Sequence, residues 1–103
     1  MYCFQWEYYP GGNIESGYAT KEDAVKAAMD SIETWWREYV KLNDATKVKN
    51  GDWRSAFYDM DTWVHPENEP ENRLWPVTPE DYAALYDLGE KVLNEMTTLS
   101  LSP

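Results

Sequence analysis

The chain has 103 residues, with nineteen acids against nine bases and a net charge of −10. That length holds one domain, and a field so negative repels nucleic acid and anionic lipid while attracting basic proteins. Phosphate backbones are gripped through Lys and Arg, so no direct nucleic-acid binding is expected. Six Trp and eight Tyr, within an apolar share of 43%, mark a globular chain rather than a disordered one.

The N-terminal MYCFQWEYY lacks a basic segment ahead of an apolar run, so no signal peptide is expected. Its residues alternate instead. Tyr2, Phe4, Trp6 and Tyr8 fall on one face and Cys3, Gln5, Glu7 and Tyr9 on the other, as in a half-buried strand. PGGN at 10–13 reads as a turn and IESGYA at 14–19 as the returning strand of a β-hairpin. Thr20 and Asp23 form an acidic capping box that opens a helix over 21–43. Val25, Ala28, Ile32, Trp35, Tyr39 and Leu42 recur at spacings of three and four, widened by Met29, Trp36 and Val40. Glu22–Lys26 and Glu33–Arg37 are i,i+4 pairs on the wet side.

KNGD at 49–52 is a second turn signal, and WRSAFYDM at 53–60 is predicted as the third strand, with Trp53, Ser55 and Phe57 opposing Arg54, Ala56 and Tyr58. Residues 59–77 then form a long acidic loop whose Pro66, Pro70 and Pro76 disfavour regular structure. Thr78, Pro79 and Asp81 signal a second helix over 79–97, with the stripe Tyr82, Leu85, Val92 and Met96. Gly89 lies on that buried face and suggests the close approach of a ring such as Trp35 or Trp36. Residues 98–103 are a tail expected to fray. The order β-β-α-β-α makes one α+β domain over 1–103: a small antiparallel sheet of about three strands with two helices on one face. No stretch approaches the length of an apolar membrane span.

The segment 59–76, DMDTWVHPENEPENRLWP, carries the candidate chemistry. Asp59, Asp61, Glu67, Glu69 and Glu71 precede its first cation, Arg73, and surround the single histidine, His65. Zinc favours His and Cys, and a calcium loop needs a central glycine that this segment lacks, so neither metal nor cofactor is predicted. Cys3 is the single cysteine, which suits a reduced, cytoplasmic setting, and it has no histidine nearby in sequence. Ser16, Ser55 and Thr62 lack a nucleophile elbow, and no phosphate-binding loop or dinucleotide fingerprint is present. A non-catalytic protein is the expectation. Paired carboxylates can still do acid–base work, so a small carboxylate- or metal-dependent enzyme stays as an alternative. Phe4, Trp6 and Tyr8 lack the basic companions of a base-stacking platform and are assigned to the core.

Asp59-Met60-Asp61 resembles the D-x-D loop of the haloacid-dehalogenase phosphatases. Thr62 stands where that loop has glycine and Trp63 where it has threonine. No repeated β-α units follow to build that family's parallel sheet, and no function passes to this chain.

The aromatic rings exceed what one small core readily encloses, and such rings concentrate at binding hot spots. Trp36, Trp63 and Trp75 are expected to be partly exposed. In an extended chain Glu67, Glu69 and Glu71 stand about 6–7 Å apart, close to successive phosphates of one strand. The predicted partner-binding surface therefore joins Asp59, Asp61, Glu67, Glu69 and Glu71 to the helix acids Asp30, Glu33 and Glu38. Trp36 lies beside it, and Trp63 and Trp75 anchor it. The plainer alternative is a solvated loop whose charge serves solubility. In composition the chain resembles the small inhibitors that phages and mobile elements direct at host defence, including anti-CRISPR and anti-restriction proteins. That resemblance implies a cytoplasmic inhibitor covering the nucleic-acid-binding site of a basic host protein with a nucleic-acid-mimicking surface. An immunity protein or antitoxin, or a structural subunit of a phage or plasmid particle, would share these features.

Overall fold

The computed structural model describes residues 1–8, 11–58 and 61–101. The alternating N-terminal residues form β1 (Tyr2–Tyr8), which pairs antiparallel with β2 (Gly11–Tyr18) on one side. On its other side β1 pairs antiparallel with β3 (Asp61–Pro66), giving the sheet order β2-β1-β3. β2 begins inside the turn expected at 10–13: Gly11 and Gly12 pair with Tyr8 and Glu7. Tyr9 of the expected strand and Pro10 of that turn lie outside the described residues. Phe4 faces Glu15 and Tyr2 faces Tyr18, so Ser16 and Gly17 together oppose Cys3 in a bulge. Gly17 has φ 95 there, a left-handed conformation that strains any residue bearing a Cβ. Its N–H points out of the ladder and donates to the Glu67 carboxylate at 2.7 Å.

Thr20 caps α1 (Lys21–Leu42), its Oγ1 accepting from the Asp23 N–H at 3.1 Å. Ala24, Ala28, Ile32, Trp36 and Val40 form the buried line, every fourth residue, and the helix lies across all three strands. Trp35 and Tyr39, placed in the middle of the predicted stripe, flank this line, and Leu42 is 75% exposed. Two short helices follow that the sequence pattern did not suggest. Asp44 caps α2 (Ala45–Asn50) by accepting from the Thr46 N–H, and Gly51 closes it by donating to the Lys47 and Val48 carbonyls. The turn expected at 49–52 is this helix terminus.

The stretch predicted as the third strand is instead α3 (Trp53–Tyr58). Asp52 starts it by accepting from Ser55 through both N–H and Oγ. Trp53 and Phe57, read as alternate strand positions, also stand i,i+4, and as a helix they turn both rings toward Gly89. The true third strand lies within the predicted loop, where Thr62, Trp63 and Val64 are β-branched or aromatic. Two turns follow, closed by Glu69 N–H to Pro66 O and Asn72 N–H to Glu69 O, both 3.0 Å. The chain then returns along the outer edge of β3. Leu74 N–H donates to Val64 O at 2.8 Å, and Val64 N–H donates to Trp75 O at 2.9 Å. The Trp75–Pro76 peptide is cis.

Thr78 and Asp81 form the expected capping box of α4 (Pro79–Leu101). The helix runs past 97, and Thr97 and Thr98 turn their hydroxyls back onto the Leu93 and Asn94 carbonyls within it. The tail expected from 98 is thus helical to Leu101, and Ser102 and Pro103 lie outside the described residues. β3 brings the chain back to the start of α1, so α1 and α4 run parallel: Lys21 acts on Asp81, Trp36 meets Gly89, and Arg37 meets Glu95. α4 packs chiefly on α1 and α2 instead of lying beside α1 on the sheet. The class is α+β with a three-stranded antiparallel sheet, but the described chain holds four helices in the order β-β-α-α-α-β-α. Among the described residues, no helix is long and apolar enough to cross a membrane.

Candidate functional site

The three tryptophans expected at the surface are buried. Trp36 has no exposed area, its ring centroid 5.1 Å from Phe57 and 5.2 Å from Tyr39. Its Nε1–H donates to the Gly89 carbonyl at 3.1 Å, which ties α1 to α4. Trp75 is 3% exposed because its backbone bridges Val64 and its ring joins the core. Trp63 is 6% exposed, with the Arg73 guanidinium 4.1 Å from its ring centroid. None of the three offers a ring to a partner. Trp36 and Trp75 join the core that the helices cover, whereas Trp63 lies on the sheet face away from α1 and is covered by Arg73.

The acids divide into three groups. Asp61 is held by Arg73 at 3.2 Å and lies across the ladder from Glu7; Asp59 lies outside the described residues. Glu67 spends its carboxylate on Gly17, and the two turns replace the extended row in which Glu67, Glu69 and Glu71 were expected. Glu69 and Glu71 are exposed. On α1, Asp30 and Glu38 are exposed, while Glu33 pairs with Arg37 at 2.9 Å among Lys26 and Lys41 of the same wet face.

The charge is partitioned along the chain. Residues 21–58 carry seven acids and seven bases, whereas residues 59–103 carry ten acids against Arg73 and Lys91. Asp30, Glu33 and Glu38 therefore belong to a balanced segment. The negative excess sits on the β3–turn–α4 half. There the outward face of α4 presents Glu80, Asp87 and Glu90, all exposed, which the sequence reading missed. Their signal was legible: they recur at helical spacing opposite the stripe of Tyr82, Leu85, Val92 and Met96. Glu95, farther along, lies below the usual carboxylate range because Arg37 donates to it at 2.8 Å.

The sheet face away from α1 brings together a pair that sequence distance concealed. Cys3 and His65 are cross-strand partners, both buried, with Gln5 beside them. The thiol lies 3.3 Å from Nε2 and 3.5 Å from Nδ1, beside the ring and in line with neither nitrogen. Both nitrogens are already committed. Nδ1–H donates to Pro66 O at 2.6 Å, and Nε2 accepts from the Gln5 amide at 2.7 Å. Burial pushes the Cys3 thiol up, and the Glu67 charge adds to that shift. The pair packs the sheet face and lacks the aligned, ionised geometry of a nucleophile and its base. Among the described residues, no three His, Cys, Asp or Glu side chains converge as a metal site would require.

Comparison with protein-family models, curated proteins and solved structures finds no match to this chain.

Proposed function

We propose that the protein is a non-catalytic inhibitor that binds a basic, nucleic-acid-binding host protein through the anionic side made by the 67–72 turns and the outer face of α4. Within that class it reads as a phage or mobile-element anti-defence protein, of the anti-CRISPR or anti-restriction type, that fills a cationic groove in place of a polyanion. The observation that carries this reading is the charge partition: residues 59–103 hold eight of the ten net negative charges, while the α1–α3 segment is balanced. Charge needed only for solubility has no reason to segregate in this way. From Glu80 to Glu90 the outer face rises about 15 Å, the axial length of roughly four to five base pairs. Electrostatic complementarity of this kind sets encounter rate and partner choice.

The test uses the wild-type chain and an E69K/E71K/D87K/E90K variant as baits in a lysate of a candidate host cell. These four carboxylates are exposed and make no hydrogen bond or ion pair among the described residues. The wild type should retain a basic nucleic-acid-binding protein, release it to added duplex DNA, and lose it in the variant while circular dichroism stays unchanged. Equal retention by both baits, or retention insensitive to DNA, would remove the reading.

A further inference from the structure

A cleft of about 120 Å³ opens between α3, β3 and α4. Buried Ile32 and Phe57 and half-buried Leu85 line it, together with the rings of Tyr58, Tyr82 and Tyr86. Tyr58 is 54% exposed, stacked on Tyr82 at 6.1 Å and edge-on to Tyr86 at 5.7 Å. The cleft thus opens apolar carbon to solvent beside the surface proposed to bind a partner. Helical spacing makes the two contiguous: Tyr86 stands i,i+4 to exposed Glu90 on α4, and exposed Ala83 stands i,i+4 to exposed Asp87.

Size, lining and charge select the occupant. A cavity of about 150 Å³ holds one benzene ring, so a cleft of about 120 Å³ is too small for a ring and accepts a branched aliphatic side chain. Such a side chain needs no polar partner inside. The cations around the cleft are already occupied: Arg73 pairs with Asp61 at 3.2 Å, and the Arg54 guanidinium lies over the Trp53 and Tyr86 rings. Beyond the tyrosines α4 carries Glu80, Asp81, Asp87, Glu90 and Glu95 against Lys91, so the chain that delivers the side chain is favoured when it is basic. We propose that the cleft anchors the basic partner by taking one leucine side chain from it, flanked in that partner by lysine or arginine. The proposal rests on the reading of the β3–turn–α4 side as the binding surface, and it supplies the apolar anchor that the buried tryptophans do not.

The probes are three acetylated, amidated pentapeptides with two lysines on each side of a central leucine, alanine or phenylalanine, and NMR titration of the full chain is the measurement. The leucine peptide should bind about fivefold more tightly than the alanine peptide and shift the Tyr82, Leu85 and Tyr86 resonances. The phenylalanine peptide should bind no more tightly than the alanine peptide. Added salt should weaken all three and leave the leucine-to-alanine ratio unchanged. Leu85→Phe fills the cleft from within; it should erase that ratio and keep the alanine peptide's affinity. Equal binding of the leucine and alanine peptides, an equal gain from phenylalanine, or a ratio that persists in folded Leu85→Phe would overturn the anchor and leave the acidic surface standing. If none of the three binds at low salt, the acidic surface falls and the anchor with it. Should Leu85→Phe fail to fold, the three peptides on the wild type decide the matter.

Discussion

Replacing Gly89 by alanine sets two effects of opposite sign against each other. In the interior of α4 the change gains about 1 kcal/mol of helix propensity. The new methyl would stand 2.8 Å from Trp53 Cζ3 and 3.5 Å from two Phe57 ring carbons. Carbon atoms rest at about 3.5–4.0 Å, so the Trp53 ring must retreat by about 0.7 Å or more. Half-buried, the ring is crowded on its core side by other rings. Its centroid lies 6.2 Å from Trp36, 6.2 Å from Phe57 and 6.4 Å from Tyr86, and the Arg54 guanidinium sits 5.0 Å from it. Overpacking of this kind costs about 1–3 kcal/mol, which outweighs the propensity gain. Gly89→Ala should therefore destabilise the chain by about 1 kcal/mol, a fall of about 4–8 °C in Tm for a domain of this size. In a Trp53→Leu background the ring is gone and the sign should reverse, to a gain of about 1 kcal/mol. Urea unfolding followed by far-UV circular dichroism measures all four members of the cycle. Equal stabilisation by Gly89→Ala in both backgrounds would show that no ring presses on this helix.

Glu67→Ala should cost about 1 kcal/mol by leaving the Gly17 N–H of the bulge without its acceptor, whereas Glu69→Ala should stay within about 0.5 kcal/mol; chemical denaturation separates them. Asp81 accepts from the Val77 and Thr78 N–H groups, which hold its carboxyl below the usual range. Its stabilisation is thus complete above the unfolded-state pKa and is lost as pH falls through the lower folded pKa. Asp81→Asn should cost about 1 kcal/mol near neutrality and nothing below both pKa values, as a melting series across acid pH would reveal. Cys3, buried and with its thiol pushed up, should react with a thiol reagent in the native state far more slowly than in urea; equal rates would place it at the surface.

Local signals carried much of the fold. The period-two hairpin, the Thr20 and Thr78 caps and the two long helices follow from side-chain spacing and short-range hydrogen bonds, which a single sequence displays. The exchange between α3 and β3 was hidden because WRSAFY satisfies alternation and i,i+4 pairing at once. The choice is made by Gly89, 32 positions beyond Phe57, whose bare backbone receives the Trp53 and Phe57 rings. β3 was masked by the prolines around it, although Pro66 ends the strand and Pro70 sits in a turn. Of the candidate surface, Glu69 and Glu71 stand exposed as expected, while the three tryptophans turned inward. Their burial depends on α2, α3 and the return of residues 73–75 along β3, none of which has a local signature. The acidity of the C-terminal half could have been counted directly, as could the even balance of the α1–α3 segment that holds Asp30, Glu33 and Glu38.

Competition on the retained partner tests the proposed function most directly. A fluorescent duplex bound to that basic protein is followed by anisotropy as this chain is added. The wild type should displace the duplex to completion, and the E69K/E71K/D87K/E90K variant should need about tenfold more protein or greater, equivalent to about 1.4 kcal/mol. A duplex that stays bound while this chain also binds, or a variant that displaces it as well as the wild type, would contradict the reading of the β3–turn–α4 side as a stand-in for nucleic acid.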